Sequence, residues 1–402
     1  MPHNSFDARR DFDNDSAMMS PPLLALLAFA AGLSVAGNYY NQALLGVLAL
    51  EFQIQAGAVA LVPLATQAAN AVGIALLAPL GDKLARKKLL VAMMALSAGA
   101  LFLAAAAPNY SALLATCVAV GLAATAAQQI VPLAVHLSPA EKRARTLGIV
   151  TGAIFTGILV ARTFAGLVAD AAGWRAVFAA AGAMSLATAV ALHRLLPAVP
   201  PATSLPYRAL IGSLWGLWRR HRDVRLATLA HGLVFAAFIG FWATLALHLQ
   251  LPPFGMGASS VGLIALLGAV GALAAPFAGR ATDRIGAHRV ALWAAVGVAA
   301  SMCVFAASAH ALIGLLAGVV VLDVAVQASQ VANQTRAVAI DPDARSRLNT
   351  LFMAGAIAGG AAGAAMTGFA FARFGWAGTC AVGAACSLLA VGLLRASAKS
   401  QG

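Results

Sequence analysis

The sequence predicts an all-α integral membrane protein: twelve transmembrane helices in two six-helix bundles that repeat one half. Three observations carry that prediction. The 402 residues are 61% hydrophobic and only 10% charged, with a mean hydropathy of +0.87, whereas a soluble domain carries roughly 25% charged residues. The apolar residues fall in long runs; a spanning helix needs about 20 of them, so the chain has room for about twelve. Finally, a charged knot between two apolar runs, Ala78-Pro79-Leu80-Gly81-Asp82-Lys83-Leu84-Ala85-Arg86-Lys87-Lys88, has an echo at Gly279-Arg280-Ala281-Thr282-Asp283-Arg284-Ile285-Gly286-Ala287-His288-Arg289. Asp82 and Asp283 stand 201 positions apart, half the chain length. A repeat at that period fixes the architecture before any finer reading.

Taken in order, residues 1–20 form a polar tail with Asp7, Asp11, Asp13 and Asp15, predicted to be disordered and cytoplasmic. No cleavable signal peptide is expected there. The N-terminal bundle, 21–196, places helices at 22–48, 57–80, 88–107, 110–135, 146–169 and 174–196. A polar, Pro-containing, basic cytoplasmic linker follows over 197–222. The C-terminal bundle, 223–395, places helices at 224–248, 258–280, 289–308, 312–336, 348–370 and 376–395, and 396–402 is a cytoplasmic tail. Pro108, Pro139, Pro252-Pro253 and Pro342 punctuate the connections, where Pro stops a helix from continuing. Short connections make neighbours antiparallel, and an even count puts both termini on one side.

The bases say which side. Placing the N-terminus in the cytoplasm puts nearly every Lys and Arg in cytoplasmic loops and tails, including Lys83, Arg86, Lys87, Lys88, Lys142, Arg143, Arg145, Arg219, Arg220, Arg284, Arg289, Arg345 and Arg347. Only Arg175 and Arg373 fall on the far side, and Arg162 lies inside a helix. That is the positive-inside distribution. It also accounts for the net charge of +13 without nucleic acid, since the bases sit in short clusters between apolar runs. Cys117, Cys303, Cys380 and Cys386 all lie within apolar runs, which argues against disulfides and zinc sites.

The repeat reaches well beyond the knot. Gln128 recurs as Gln330, Arg143 and Arg145 as Arg345 and Arg347, and Gly173-Trp174 as Gly375-Trp376. Ala153, Gly157, Ala161 and Gly166 recur as Gly355, Gly359, Gly363 and Gly368, a ladder of small residues suited to close helix packing. Two halves of the same topology are related by an axis along the membrane normal, the parallel-repeat arrangement of one transporter class.

These residues resemble the major facilitator superfamily, and more narrowly its twelve-helix drug–proton antiporter branch, over about residues 21–395. The family's loop signature is a small residue, three others, Asp, a base, any residue, Gly, then bases. Asp82 to Lys88 fits with Ala85 in place of Gly and Ala78 in place of the leading Gly; Asp283-Arg284-Ile285-Gly286 fits better. Asn38-Tyr39-Tyr40-Asn41-Gln42 is similar to a run in bacterial efflux permeases. The resemblance implies that Asp82, Lys83, Arg86, Asp283, Arg284 and Arg289 latch the halves together in one access state. It also implies that the fourth and tenth helices line the cavity. The chain departs from the branch at Cys117-Val118-Ala119-Val120-Gly121, where the fourth helix carries no base, and at Gly157 to Arg162, which lacks the Gly-Pro ending of the fifth.

Some residues also point to function on physical grounds. Arg162 and Asp323 are charges inside apolar helices, and a charge at the bilayer centre costs roughly 2.5–3.5 kcal/mol on insertion scales, so neither should face lipid. They are expected to face the central cavity and to pair, either as a bond that protonation or substrate breaks or as a permanent structural bridge. The run Asn38, Tyr39, Tyr40, Asn41, Gln42 cannot all face lipid, so part of it faces a wet cavity suited to an organic solute, or the run forms an interfacial belt. Gln128 with Gln129, and Gln327, Gln330, Asn333 and Gln334, are either cavity-lining groups or interhelical hydrogen bonders. His231 and His248 are isolated and read as ordinary hydrogen-bonded side chains.

No G-x-x-x-x-G-K-[ST] phosphate loop, H-E-x-x-H or G-x-S-x-G is present, so neither an ATP-driven pump nor an enzyme is expected. The expectation is a monomeric secondary active transporter of a bacterial inner membrane that needs no cofactor. Its partners would be a small organic solute, most simply a proton, and the lipid bilayer. Asp323 would titrate, and Arg162 would be its partner or an anchor for an anionic substrate. An uncoupled facilitator or importer of the same fold, or a transporter-like sensor or partner-binding subunit, stays open.

Overall fold

The computed structural model describes residues 19–199, 206–341 and 344–399. The expectations for 1–18, 200–205, Pro342 and 400–402 lie outside these residues. Among the described residues the secondary structure is helical, with eleven helices long and apolar enough to cross a membrane. The last of these, Arg345–Ser397, turns at Gly375, where φ is 57°, so twelve apolar segments result. They are α1 (Pro21–Glu51), α2 (Gly57–Leu77), α3 (Arg86–Ala105), α4 (Tyr110–His136), α5 (Arg143–Ala172) and α6 (Trp174–Leu195). After the linker come α7 (Arg222–Gln250), α8 (Ala258–Ile285), α9 (Ala287–Ala307), α10 (Leu312–Val338), α11 (345–374) and α12 (376–399).

Local chemistry sets the ends. Ser20 accepts a hydrogen bond from the Leu23 N–H at 3.4 Å, and Pro21 and Pro22 occupy the first turn, where a missing N–H costs nothing. Gly173 between α5 and α6 has φ 82°, as Gly375 has φ 57° between α11 and α12. Those are conformations Gly adopts without a Cβ penalty. The recurrence of Gly-Trp at both places therefore has a backbone cause, and Trp174 and Trp376 are both buried behind it.

The small-residue ladder does pack helices. A Cβ on Gly157 would lie 2.7 Å from the Gly32 Cα, and one on Gly359 would lie 2.7 Å from the Gly232 Cα. So α5 meets α1, and α11 meets α7, backbone to backbone at equivalent positions. Contacts between residues of the first and second half of the chain run through α5–α8, α2–α11 and α1–α7.

The linker is not wholly irregular. Tyr207–Arg220 is an amphipathic helix whose buried Leu214 and Leu217 face the protein, while Arg208, Arg219 and Arg220 are exposed. Three predicted spans are also interrupted. α1 breaks at Gly37–Tyr39, where Asn38 and Tyr39 make short i→i−3 bonds to Val35 and Ala36. α4 breaks at Ala124–Thr125, and α8 passes through a 3₁₀ turn at Leu266–Gly268. Tightened turns of that kind often mark hinges, and all three border the cavity described next.

Candidate substrate cavity

A cavity of about 1210 Å³ opens between the two halves of the chain. At its mouth stand Pro79, Arg86, Leu210, Leu214, Ser346 and Arg347; deep inside are Asn38, Tyr39, Arg162, Phe238 and Asp323. Its size exceeds the roughly 300–1,000 Å³ of an enclosed ligand pocket, as an open funnel should. The opposite end is shut. There a Cβ on Gly166 would lie 2.4 Å from the Ala258 carbonyl, Thr163 donates to the Gly262 carbonyl at 2.7 Å, and Asp170 accepts from the Ser259 N–H at 3.0 Å. A Cβ on Gly46 would collide with the Gln250 amide. Small residues on α1, α5 and α8 thus let the backbones seal this end.

Arg162 sits at the closed base of the funnel, 1% exposed. Its Nε donates to Gln42 Oε1 at 2.8 Å. The guanidinium carbon lies 4.3 Å from the Trp242 ring centre and 4.9 Å from that of Tyr39. Aromatic faces attract a desolvated guanidinium by about 2 kcal/mol or more, so the cation is held by neutral groups. Its Nη2 has no hydrogen-bond partner.

Asp323 lines the same cavity from α10, 9% exposed. The chain can bring it there because Gly268 and Gly271 on α8 leave room. A Cβ on Gly271 would lie 2.8 Å from the Asp323 Cβ, and one on Gly268 would lie 3.3 Å from its Oδ1. Asp323 Oδ2 is buried without a hydrogen-bond partner. Both intramembrane charges therefore line one cavity, but the direct pairing expected from the sequence is not present. No ion pair within 4.0 Å joins them; Gln42 and the aromatic rings hold Arg162 instead.

The polar run of α1 divides. Asn38 and Tyr39, at the helix break, line the cavity. Tyr40, Asn41 and Gln42 do not; they are buried in helix packing. Tyr40 packs against Phe164 at 5.9 Å, Asn41 donates to Thr66 Oγ1 at 2.9 Å, and Gln42 orients Arg162. Of the five candidate residues only Asn38 and Tyr39 therefore border the cavity, and Tyr40, Asn41 and Gln42 leave the lining set, because successive residues of a helix point to different sides.

On α4, Gln128 and Gln129 both border the cavity, but Gln129 Nε2 donates to the carbonyls of Leu77 and Ala78 at 3.1 and 2.7 Å, satisfying the end of α2. On α10, Gln327, Gln330 and Gln334 line the cavity, and Gln334 donates to Asn349 at 2.7 Å. Asn333 does not line it. It is fully buried, donates to the Ser329 carbonyl at 3.1 Å and accepts from Arg336 at 3.0 Å, which removes it from the cavity-lining set.

The loop residues lie at the mouth end. Arg86 borders the cavity and donates to the Gly81 carbonyl at 3.2 Å. Lys83, Asp283, Arg284 and Arg289 are exposed, and Asp283 makes no ion pair within 4.0 Å to Arg289. Asp82 belongs to the short helix Leu80–Lys83; its side chain lies outside what the structure describes.

The sequence reading missed one group. His231, Phe235, Phe238 and Trp242 recur at steps of four, three and four on α7, one helical face. Phe235 and Phe238 stack at 5.6 Å and line the cavity, Trp242 lies beneath Arg162, and His231 contacts Ser329 Oγ at 3.0 Å. The spacing was visible; in a chain so apolar, an aromatic stripe does not stand out from core.

Comparison with known proteins agrees with this architecture. The model of the Major Facilitator Superfamily matches residues 27–272. An uncharacterized transporter of Escherichia coli O157:H7, YgaY, is 36% identical over 371 residues, covering 92% of this chain and 94% of its own. A probable transporter of Streptomyces coelicolor, SCO4007, is 33% identical over 364 residues, covering 90% and 84%. Among solved structures, a bacterial homologue of the human lysosomal transporter Spinster, inward-facing and unoccupied, superposes with a TM-score of 0.70 at 17% identity over 95% of this chain and 96% of that one. A mutant of the nucleoside transporter NupG gives 0.74 at 14% identity, over 93% and 99%; at such identities these two speak for the fold alone. With apolar spanning helices, a cavity between its halves and these relatives, the chain belongs to the major facilitator superfamily and is a multi-pass membrane transporter, not an enzyme.

Proposed function

We propose that this protein is a proton-coupled secondary transporter that exports a small organic solute by alternating access between two six-helix halves. One observation carries the reading: a large cavity between the halves is open at one end, shut at the other, and holds two buried charges, Arg162 and Asp323. Intramembrane ionisable groups facing a cavity mark proton and substrate paths. The clustering of loop bases at the mouth end supports, by the positive-inside rule, a cytoplasmic mouth and cytoplasmic termini; the protein works as a monomer in a bacterial inner membrane. Asp323 carries the proton. Asp82, Lys83 and Arg86, with Asp283, Arg284 and Arg289, close the mouth when the far end opens.

An uncoupled facilitator or importer is the second reading, favoured by the missing base on α4 between Cys117 and Gly121. Proteoliposomes loaded with a pH-sensitive dye separate the two. With an imposed proton gradient and a panel of solutes, substrate-dependent proton movement that is lost in Asp323→Asn supports coupling. Substrate flux without proton movement leaves the facilitator.

A further inference from the structure

The two buried charges of the cavity are opposite in sign, stand on different helices, α5 and α10, and are not joined by an ion pair within 4.0 Å. Each retains an atom with no hydrogen-bond partner, Arg162 Nη2 and Asp323 Oδ2. Burying a charged group with an unmet atom is costly, and a structural bridge would have satisfied both. Between them the lining is apolar and aromatic, with Phe238 and Tyr39 beside Arg162 and Leu159 and Ile158 on α5.

The geometry points to a zwitterionic substrate with a compact apolar body: its anionic group meets the Arg162 guanidinium and its cationic group meets the Asp323 carboxylate. This deepens the transport reading above and rests on it. A planar guanidinium whose Nε–H is held by Gln42 Oε1 and which lies over Trp242 is preorganised to present its remaining N–H groups to a carboxylate or another anion. An ammonium or quaternary nitrogen replaces the partner that Asp323 Oδ2 lacks. A substrate of one sign would leave the other buried charge unmet, which is the basis of discrimination. The same contact accounts for export against protons: a proton arriving at Asp323 displaces the cationic end, so substrate and proton occupy the carboxylate in turn.

The test is charge selectivity, read as thermal stabilisation of the purified full-length protein and as quenching of tryptophan fluorescence, since Trp242 lies under Arg162. The probes are phenylalanine and leucine as zwitterions, their methyl esters as cations, their N-acetyl forms as anions, and their N-acetyl amides as neutral bodies. Expected is stabilisation by at least one zwitterion, with the cation and anion of the same body binding about tenfold or more weakly, the factor for about 1.4 kcal/mol. Asp323→Asn should remove the preference for zwitterion over anion, and Arg162→Lys should weaken zwitterion and anion alike while sparing the cation. Equal binding of neutral and zwitterionic bodies, no binding of either zwitterion, or unchanged charge preference in both variants would overturn the inference. Proton-coupled flux of a neutral solute would sink the zwitterion and leave the transport reading. Charge-selective binding without proton movement would do the reverse.

Discussion

The Asp170 carboxylate of α5 accepts a 3.0 Å hydrogen bond from the backbone N–H of Ser259, at the start of α8, and so ties the two halves together at the closed end of the cavity. The acceptor sits where the unpaired N–H groups and dipole of α8 favour negative charge. A Cβ on the adjacent Gly257 would lie 3.1 Å from the same carboxylate, so the loop approaches it closely.

Asp170→Asn should therefore loosen this end. A hydrogen bond to a charged group contributes about 1.5–3 kcal/mol, of which exposure at the rim leaves a part, so a several-fold shift toward the open far end is expected. Spin-label distances between the turns at 52–55 and 252–256 would read it as a longer component. An unchanged distance distribution would show that the seam rests on the Gly166–Ala258 packing alone.

Adjacent glutamines should separate cleanly. Gln129→Leu strips the Leu77 and Ala78 carbonyls of their donor and should lower stability by about 1–3 kcal/mol, seen as a lower melting temperature in detergent. Gln128→Leu, which borders the cavity, should leave the melting temperature nearly unchanged and alter substrate affinity instead.

The glycine seams should be intolerant at equivalent places. Gly157→Ala and Gly359→Ala each drive a Cβ into the backbone of a glycine on the facing helix, Gly32 or Gly232, and should cost about 1–3 kcal/mol from overpacking. Gly392→Ala meets nothing within 4 Å and serves as the control. Equal melting temperatures for all three would refute the close approach.

Gln42 has a positioning role that transport kinetics can expose. Gln42→Leu leaves Arg162 Nε without its acceptor and frees the guanidinium to turn toward Asp323. Weaker substrate binding with protein of normal yield is expected, and Gln42→Glu should do worse, because a carboxylate there would neutralise Arg162 in place.

Much of the fold was legible because its determinants are local or periodic. Apolar run length set the spans, clustered bases set the loops, and Gly173-Trp174 with Gly375-Trp376 marked turns that need positive φ. The candidate site was legible only in part. Arg162 and Asp323 stood out as charges in apolar helices, and both do line the cavity. The run from Asn38 to Gln42 looked uniform, yet the break at Gly37–Tyr39 turns two of its residues inward and leaves three in packing. No periodicity announces such a break, since it comes from short i→i−3 bonds in surroundings set by other helices.

The sequence by itself determined that this chain holds apolar segments long enough to cross a membrane, repeats several motifs at about half its length and sets two opposite charges within those segments, because each of these follows from composition and spacing. Only the tertiary structure decided that those charges stand apart rather than bridge. Arg162 is claimed by Gln42 of α1 and Trp242 of α7, side chains 120 and 80 positions away, while Asp323 is seated against Gly268 and Gly271 of α8. Which partner a buried charge takes depends on what the packing of distant helices brings within hydrogen-bond reach, and that is a property of the assembled core.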